Sequence, residues 1–567
     1  MTTAINTRLV NLAIKTENLS LYRDRIATLR RINLTPRQLC DLEMLIDGSF
    51  SPLTGFLSVD DYNSVVQTMR LTNGCLWPMP VTFDVREKNF SPGEEILLCD
   101  KYGGPLAILA VSSIYEPDKL REAKEVYGTI DKAHPGVRYL LEETGNIYLG
   151  GQILGLASPA NHSFTDLRQT PQQLQDWFVA NGWDKIIGFQ TRNPIHRAHY
   201  ELIRRSAEDY MAKVLIHPVV GETKPGDIDY VTRVRCYRKI SDLYTRDFAK
   251  LSLLPLAMRM AGPREALWHA LIRKNYSCTH FIVGRNHADP GPGSDGQPLY
   301  GAYDAQDLTK QYESEIGLTI IPQSEIAYVP SEKKYLFAAE LQPQHQTLSI
   351  SGTELRRLIR AGEEVPDWLS FPEVVSELRL TAQRELKRGI TIFMTGLSGS
   401  GKSSITKIVQ DKLTAIQDRE ITVLDGDVIR QNLSKGLGFS REDRDTNILR
   451  IGFVANEITR HGGFALCAAI APYREARNKN RELISQTGTY IEVLVNAPME
   501  VCRQRDVKGL YRKAELGKLK GFTGVDDPYE QPENAEIVLD TVNFTPEHCA
   551  QQVIDYLMET GAITQKS

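Results

Sequence analysis

The chain has no C-x-x-C pair. Its eight cysteines, at positions 40, 75, 99, 236, 278, 467, 502 and 549, are scattered. That spacing argues against a structural zinc site and against a disulfide framework, and it fits a reducing cytosol. Long apolar runs are missing too. No stretch of 18 apolar residues occurs, so no membrane span is expected. The opening MTTAINTRLVNLAIKTENLS is too polar for a signal peptide. Positive charge is not in excess either: the formal net charge is −4. This excludes a global basic field for nucleic acid and leaves local Lys/Arg clusters as sites for small anions or as solvated faces. Internal repeats and low-complexity tracts are absent. The expectation is a cytoplasmic protein with neither nucleic-acid nor membrane partners and no structural metal.

What is present is ordinary in bulk and specific in detail. Apolar content of 41% and charge of 24% are those of a globular protein. At 567 residues the chain exceeds one ordinary core, and about two to four domains are expected. Residues 1–165 read as β-rich and irregular, with short apolar segments (Trp77–Phe83, Glu95–Leu98, Leu106–Val111) between Gly/Pro/Asp turns. From 166 to 330 the texture becomes strand–loop–helix: strands at Lys185–Phe189, Val214–Val220 and His280–Val283, and a helix over Tyr200–Ala207. Residues 331–388 read as a small, mainly helical, charged connector. Residues 389–567 form a second α/β unit with strands at 390–394, 420–424, 464–470 and 490–496. The predicted class is multidomain α/β, and alternation of this kind implies parallel sheets with ligands beyond the strands' C-terminal ends.

Residues 396–403 read Gly-Leu-Ser-Gly-Ser-Gly-Lys-Ser, a complete G-x-x-x-x-G-K-[ST] loop between the apolar run Ile390–Met394 and a helix-like stretch from Lys402. A strand feeding a Gly-rich turn and a helix N-terminus aims backbone N–H groups at a triphosphate. Gly396, Leu397, Ser398, Gly399, Ser400, Gly401, Lys402, Ser403 and Ser404 are the candidate ATP cradle. Lys402 would reach the β/γ-phosphates and the Ser403 hydroxyl would ligate Mg2+.

A different centre lies upstream. After the strand KIIGF comes Gln190-Thr191-Arg192-Asn193-Pro194-Ile195-His196-Arg197-Ala198-His199. Two histidines at i and i+3 at a helix start share a face, and the helix N-terminus adds partial positive charge. With Gln190 and Arg192 just past the strand end, the set reads as an anion cradle. An H-x-x-H pair also suits a metal, although no third ligand is evident, and two surface histidines would read the same. A second Gly-rich loop, Gly284-Arg285-Asn286-His287-Ala288-Asp289-Pro290-Gly291, leaves the strand at 280–283 and can converge on the first.

QTRNPIHRAH resembles the Q-x-R-N-P-x-H-x-x-H motif of ATP sulfurylases (sulfate adenylyltransferases), and GRNHADPG is similar to that family's G-R-D-H-A-G-P-G loop. MRMAGPREALWHALIRKNY (258–276) and SISGTELRRLI (349–359) also resemble family segments, and the likeness spans about residues 1–385. The resemblance implies a β-rich N-terminal domain followed by a nucleotidylyltransferase-type, Rossmann-like catalytic domain. It implies direct attack of a sulfate oxygen on the α-phosphorus of MgATP, releasing pyrophosphate. Gln190 and Arg192 would hold sulfate, with a backbone contact from Ala288. Thr191 and Asn193 would position the reacting phosphate, and His196 and His199 would stabilise its developing charge. Gly284, Arg285, Asn286, His287 and Ile326 would line the ATP site beside Gln190–Asn193. Two positions depart from the family loop. Asn286 stands for Asp, losing a charge but keeping a hydrogen-bonding side chain. Asp289 stands for Gly, bringing a carboxylate near an anionic substrate and requiring a tolerant φ/ψ.

Downstream of the phosphate-binding loop come Asp425-Gly426-Asp427 and Arg430, then Phe439, Arg444 and Asn447, then Ile470-Ala471-Pro472, then Arg505 to Tyr511 and Gly521 to Gly524. Charged loops after the strands of one α/β unit describe a phosphoryl-transfer site. Together they resemble adenylyl-sulfate kinase across about residues 388–567. The resemblance implies MgATP on the loop with Arg505 in a lid. Asp427 would orient or deprotonate a 3′-hydroxyl, with Asp425 as alternate, and either carboxylate is a possible Mg2+ partner. Arg430, Phe439, Arg444, Asn447, Ile470, Ala471, Lys508, Phe522 and Thr523, with Asp427, would bind adenylyl sulfate. Many kinases of this family carry Ser where this chain has Ala471, so direct in-line transfer is expected rather than a covalent route. The implied whole is a sulfate-activating enzyme making 3′-phosphoadenylyl sulfate, assembled as a homo-oligomer. The competing expectation is a sulfurylase whose C-terminal domain is an inactive allosteric module, as in fungal-type enzymes. A nucleotidylyltransferase for another anion, such as selenate or molybdate, is a third.

Overall fold

The computed structural model describes residues 9–159, 161, 163–224, 226–241, 248–386, 388–416, 419–506, 509–519 and 521–563. The chain divides into two compact units, Met1–Leu380 and Thr381–Ser567.

The first unit begins with a six-stranded sheet of β1 (Arg30–Asn33), β2 (Gly55–Phe56), β3 (Phe83–Val85), β4 (Glu95–Cys99), β5 (Pro105–Tyr115) and β6 (Ile147–Gly155). Its order is β1-β4-β5-β6-β2, with β3 also on β6. Of the apolar segment Trp77–Phe83, only Phe83 enters a strand. Pro78 and Pro80 cannot donate to a ladder, so this segment stays irregular, while Trp77, Met79 and Val81 are buried in the core.

A five-stranded sheet follows: β7 (Ile186–Thr191), β8 (Lys213–Pro218), β9 (Ala249–Leu251), β10 (His280–Val283) and β11 (Thr319–Pro322). The order is β11-β10-β7-β8-β9 and every pairing is parallel. The chain winds outward from β7 through β8 and β9, then crosses back to β10. The strand order therefore reverses between β7 and β10, and a crevice opens at their C-terminal ends. A hairpin, β12 (Ile326–Val329) with β13 (Lys334–Phe337), comes next. It straddles residue 330, so the boundary expected there cuts a paired element. The helices expected in the connector are Gly352–Ala361 and Pro372–Leu386.

The second unit is also a five-stranded parallel sheet: β14 (Ile390–Thr395), β15 (Ile421–Asp425), β16 (Phe464–Ala468), β17 (Thr489–Asn496) and β18 (Ile537–Asp540), in the order β15-β16-β14-β17-β18. All six residues of β14 are buried, as a strand covered on both faces requires. Ile405, Val409 and Leu413 of helix Lys402–Ile416 and Val553, Ile554 and Leu557 of helix Pro546–Glu559 pack into one core cluster. Ile448 and Ile451 of helix Arg441–Arg460 and Ala476 and Ile484 of helix Arg474–Ser485 pack into another.

Candidate functional site

In the first unit, the loops after β7 and β10 meet at the switch point. Their side chains are joined through helix Gly262–Asn275, which no motif reading had given a role. Gln190 Nε2 lies 2.8 Å from His269 Nδ1, and that same nitrogen lies 3.0 Å from His287 Nε2. Behind it, His269 Nε2 faces Glu265 Oε1 at 3.3 Å, both residues fully buried. Arg192 donates through Nη1 to the Met260 sulfur (2.9 Å) and through Nη2 to the Asp289 carbonyl (3.2 Å). Its Nη1 is 3.7 Å from Asp227. Lys224, half-buried, adds a second cation here, and burial followed by the nearby Arg192 guanidinium lowers its pKa.

The backbone of the first loop is clamped from helix Tyr230–Lys239. The Tyr237 hydroxyl donates to the Asn193 carbonyl at 2.6 Å, and buried Arg233 donates to the carbonyls of Arg192 (3.0 Å) and Val219 (2.9 Å). The Thr191 hydroxyl closes the turn by donating to the Asn193 carbonyl and accepting its N–H, each at 3.0 Å. His196 caps helix Arg197–Tyr210 and donates its backbone N–H to His199 Nδ1 at 3.2 Å. Accepting there leaves the His199 proton on Nε2, a donor. His196 Nδ1 is 2.8 Å from the Ser370 hydroxyl. Burial, then the His199 ring, pulls His196 down to about 3, and burial pulls His199 down to about 4. Both are neutral at pH 7 and can support an anion by N–H donation and helix-end charge rather than as imidazolium.

The two departures in the second loop have different consequences. Asn286 has φ +54°, where Asn is among the side chains best able to sit. Asp289 is not among the positive-φ residues, so the backbone demand expected of it does not arise. Ala288 has φ +55°, and its carbonyl accepts from Gly262 N–H at 3.3 Å. Arg285 lies at the rim, 3.3 Å from Glu325. Gly284 and partly buried Ile326 follow β10 and open β12.

In the second unit, a cavity of about 690 Å³ opens over the C-terminal ends of β14, β15 and β16. That volume is ordinary for a small-molecule site. Gly396 starts the loop at φ +152°, and a Cβ there would sit 2.5 Å from the Val495 carbonyl oxygen. Lys402 Nζ folds into the loop and donates to the carbonyls of Gly396 (2.8 Å) and Leu397 (2.7 Å). The Ser403 hydroxyl donates to Asp425 Oδ2 at 3.1 Å, while Asp425 Oδ1 accepts the Asp427 N–H at 2.9 Å. Ser403 and Asp425 thus present adjoining hard oxygen donors. That suits Mg2+, which takes one or two protein oxygens and completes its shell with phosphates and water. Asp427, in the first turn of helix Gly426–Gln431, lines the cavity beside Gly426 and Arg430.

Arg430 sits 4.6 Å from the centroid of Phe439, which is exposed at the cavity mouth. Arg444 lines the cavity, but its guanidinium is bonded to Phe439 and Gly521 carbonyls, Thr523 and Asp527. It braces the walls, which the sequence reading had treated as a ligand contact. Asn447 is buried with its Oδ1 unpartnered in the lining. Ile470, buried Ala471, Phe522 and Thr523 complete the lining. Ala471 has φ +46° and its carbonyl accepts from buried Arg477. Lys508 lies outside the described residues.

Three residues hold the phosphate-binding loop from outside: Arg505 and Tyr511, both in the segment expected to form a lid, and Thr541, which no motif marks. The Tyr511 hydroxyl donates to Ser398 carbonyl (3.0 Å), the Thr541 hydroxyl to Ser400 carbonyl (2.9 Å), and Arg505 Nη1 to Thr541 (3.2 Å). Thr541 lies some 140 positions from the loop, and a lone Thr after a strand carries no readable motif.

The chain matches three family models: a PUA-like domain over residues 2–158, ATP-sulfurylase over 165–381 and adenylylsulphate kinase over 388–540. It is similar to the sulfate adenylyltransferase of Mycosarcoma maydis, 48% identical with 91% of this chain and 92% of the relative covered. It is also similar to that of Phaeosphaeria nodorum, 46% identical with 94% of each covered. Among solved structures it resembles the hexameric APS kinase from Thiobacillus denitrificans, at 33% identity, TM-score 0.75 and 98% of both chains. With the anion cradle at one switch point and an intact phosphate-binding loop at another, these matches agree in extent and order. The chain belongs to the sulfate adenylyltransferase family and carries a C-terminal adenylylsulphate kinase domain.

Proposed function

We propose that the protein catalyses both steps of sulfate activation. In the first unit, a sulfate oxygen attacks the α-phosphorus of ATP, the bond to the bridging oxygen breaks, and pyrophosphate leaves with adenylyl sulfate formed. Sulfate carries no proton to remove at neutral pH, so no general base is required. The task is to hold two repelling anions in line. Arg192 and Gln190 hold sulfate, with Ala288 contributing backbone. Thr191 and Asn193 set the phosphate, His196 and His199 donate to it, and Gly284–His287 and Ile326 line the nucleotide. Arg suits this place because its planar fork matches two oxygens at once.

In the second unit, the 3′-hydroxyl of adenylyl sulfate attacks the γ-phosphorus of ATP, ADP leaves, and Asp427 takes the hydroxyl proton. Asp425, paired with Ser403, would hold Mg2+, which would supply positive charge against the phosphates. Lys402 exchanges its loop carbonyls for phosphate oxygens. Arg430, Phe439 and Asn447 hold adenylyl sulfate between Ile470–Ala471 and Phe522–Thr523, and Arg505 braces the loop. Ala471 has no hydroxyl, so transfer is direct. The observation that carries this reading is the intact loop, with Lys402 folded onto its carbonyls and Ser403 bonded to Asp425, lining one cavity.

A second reading, an inactive allosteric module binding 3′-phosphoadenylyl sulfate, is favoured by the fungal relatives, known as sulfate adenylyltransferases. These cover both units. A coupled assay decides. Purified protein is given adenylyl sulfate and MgATP and scored for 3′-phosphoadenylyl sulfate beside Lys402→Ala. Turnover lost in the variant is expected. No turnover in the parent, with sulfurylase activity intact, would leave the module reading standing. A cytoplasmic, homo-oligomeric enzyme is part of the proposal. Among the described residues no helix is long and apolar enough to cross a membrane.

A further inference from the structure

The buried pair Glu265–His269 ties together every part of the sulfate cradle. Glu265 accepts the backbone N–H of Arg259 and of Ala261, each at 2.8 Å, and so straddles Met260, whose φ is +63°. Met260 in turn places its sulfur on Arg192. The next residue of that turn, Gly262, holds the Ala288 carbonyl. His269 reaches Gln190 and His287 directly.

The hydrogen bonds of this network leave one buried polar atom, Gln190 Oε1, without a partner. With its Nε2 proton on Glu265, His269 has a single lone pair, on Nδ1. The Gln190 amide nitrogen, 2.8 Å from Nδ1 and 3.3 Å from Nε2, is a donor to it, and His287 Nε2, at 3.0 Å, is a second when that ring carries its proton on Nε2. The Gln190 amide oxygen meanwhile is buried with no partner. Gln190 therefore spends one of its two N–H donors on His269 and leaves its oxygen unmatched, the poorer orientation for holding an anion. One proton added at His269 Nδ1 inverts the chain. Nδ1–H then donates to Gln190 Oε1, after the amide turns over, and to His287 Nε2, a shared geometry that one N–H supports. Gln190 then has its NH2 for sulfate, and His287 carries its proton on Nδ1.

We propose that Glu265 and His269 are positioning residues of the sulfate cradle, and that sulfate binding takes up one proton at His269, which turns the Gln190 amide to present its nitrogen to the anion. This rests on the assignment of Gln190 to sulfate. His269 is faced by Glu265 and Arg273 from its own helix, by Arg192 and Gln190 from the β7 loop and by His287 from the β10 loop. Burial lowers its pKa, Glu265 raises it, and Arg273 and Arg192 lower it further, so it is neutral before sulfate arrives. Glu265 is pushed up by burial but held below the usual carboxylate range by the hydrogen bond from His269 and the two backbone donors, so its charge is in place to receive the imidazolium. The incoming dianion supplies the rest of the field.

The test is the KM for sulfate at saturating MgATP, measured from about pH 6.5 to 8. Uptake of one proton makes it rise about tenfold per pH unit, with the KM for ATP little changed. His269→Gln loses that slope and, having lost a charge-assisted hydrogen bond, has a sulfate KM about tenfold or more above the parent at pH 6.5. Glu265→Gln keeps a neutral hydrogen-bonding group but lowers the basicity of His269, raising the sulfate KM while leaving ATP binding. A flat profile in a parent enzyme that turns over sulfate, or the parental slope retained in His269→Gln, would overturn the proposal. Absence of sulfate-dependent pyrophosphate release from the parent at every pH would instead overturn the assignment of the cradle to sulfate.

Discussion

The two sites solve one problem, holding nucleotide phosphates, with different parts of the polypeptide. The kinase-type site is built on backbone: a loop of eight residues between β14 and its helix, with glycine where a Cβ would strike Val495. The sulfurylase-type site is built on side chains. Gln190 and Arg192, the clamps Arg233 and Tyr237, the post Glu265–His269, His287, and Ser370 beneath His196 come from five separate stretches of chain. A backbone cradle is local and keeps its shape whatever the surface around it. A side-chain cradle depends on buried polar groups that must all find partners, and a single unmet atom such as Gln190 Oε1 then becomes informative.

The difference can be broken from either side, and the largest effect is expected at the backbone site. Lys402→Ala removes the one cation the loop aims at the phosphates. It should cut 3′-phosphoadenylyl sulfate formation by about a hundred- to thousandfold, as loss of a preorganised transition-state donor does. Pyrophosphate release with sulfate, assayed on the same preparation, should be unchanged. The mirror experiment is Arg192→Lys. It keeps the charge but loses the planar fork, so sulfurylase kcat/KM should fall by about tenfold to a hundredfold with the kinase assay untouched. Asn447→Ala tests whether its unpartnered Oδ1 binds a ligand. The KM for adenylyl sulfate should rise about tenfold, and that for ATP should not.

A smaller effect separates the sites by pH. His196 and His199 are held neutral by burial, at about 3 and about 4, whereas in the unfolded chain they titrate near 6.5. Below that value the unfolded state binds more protons, so their contribution is complete above about pH 6.5 and is lost as pH falls toward the folded values. His199→Gln should flatten the acid loss of stability of the first unit by about 2 kcal/mol between pH 6.5 and 4.5, read by denaturant melts. Asp47 and Glu122, raised to about 7 by burial, act in the opposite direction and are shared by the parent and the His199→Gln variant, so they cancel in the difference.

Much of this was legible in the chain, for reasons that can be named residue by residue. The phosphate-binding loop is readable because its chemistry lives in consecutive backbone amides, which demand glycine at set spacings. The strands β7, β10, β14 and β17 are readable because a doubly covered strand must be apolar throughout. Trp77–Phe83 shows that an apolar run can be core without being paired, and Pro78 and Pro80 settled which. Glu265, His269, Tyr237, Ser370 and Thr541 were not legible. Each is one polar residue on an otherwise ordinary element, and its role exists only through a partner far away in sequence.

The sequence by itself determined the class of chemistry. Parallel sheets, an anion cradle at one strand end and a complete triphosphate loop at another follow from local spacing and the periodicity of apolar residues. Only the tertiary structure decided which groups are available to do that chemistry. It bonds Asp425 to both Ser403 and the Asp427 N–H, it engages Arg444 in the pocket wall, and it places a fully buried histidine between Gln190 and His287. Hydrogen-bond partners across long sequence separations are fixed by packing, and burial then sets which of those groups can carry a charge.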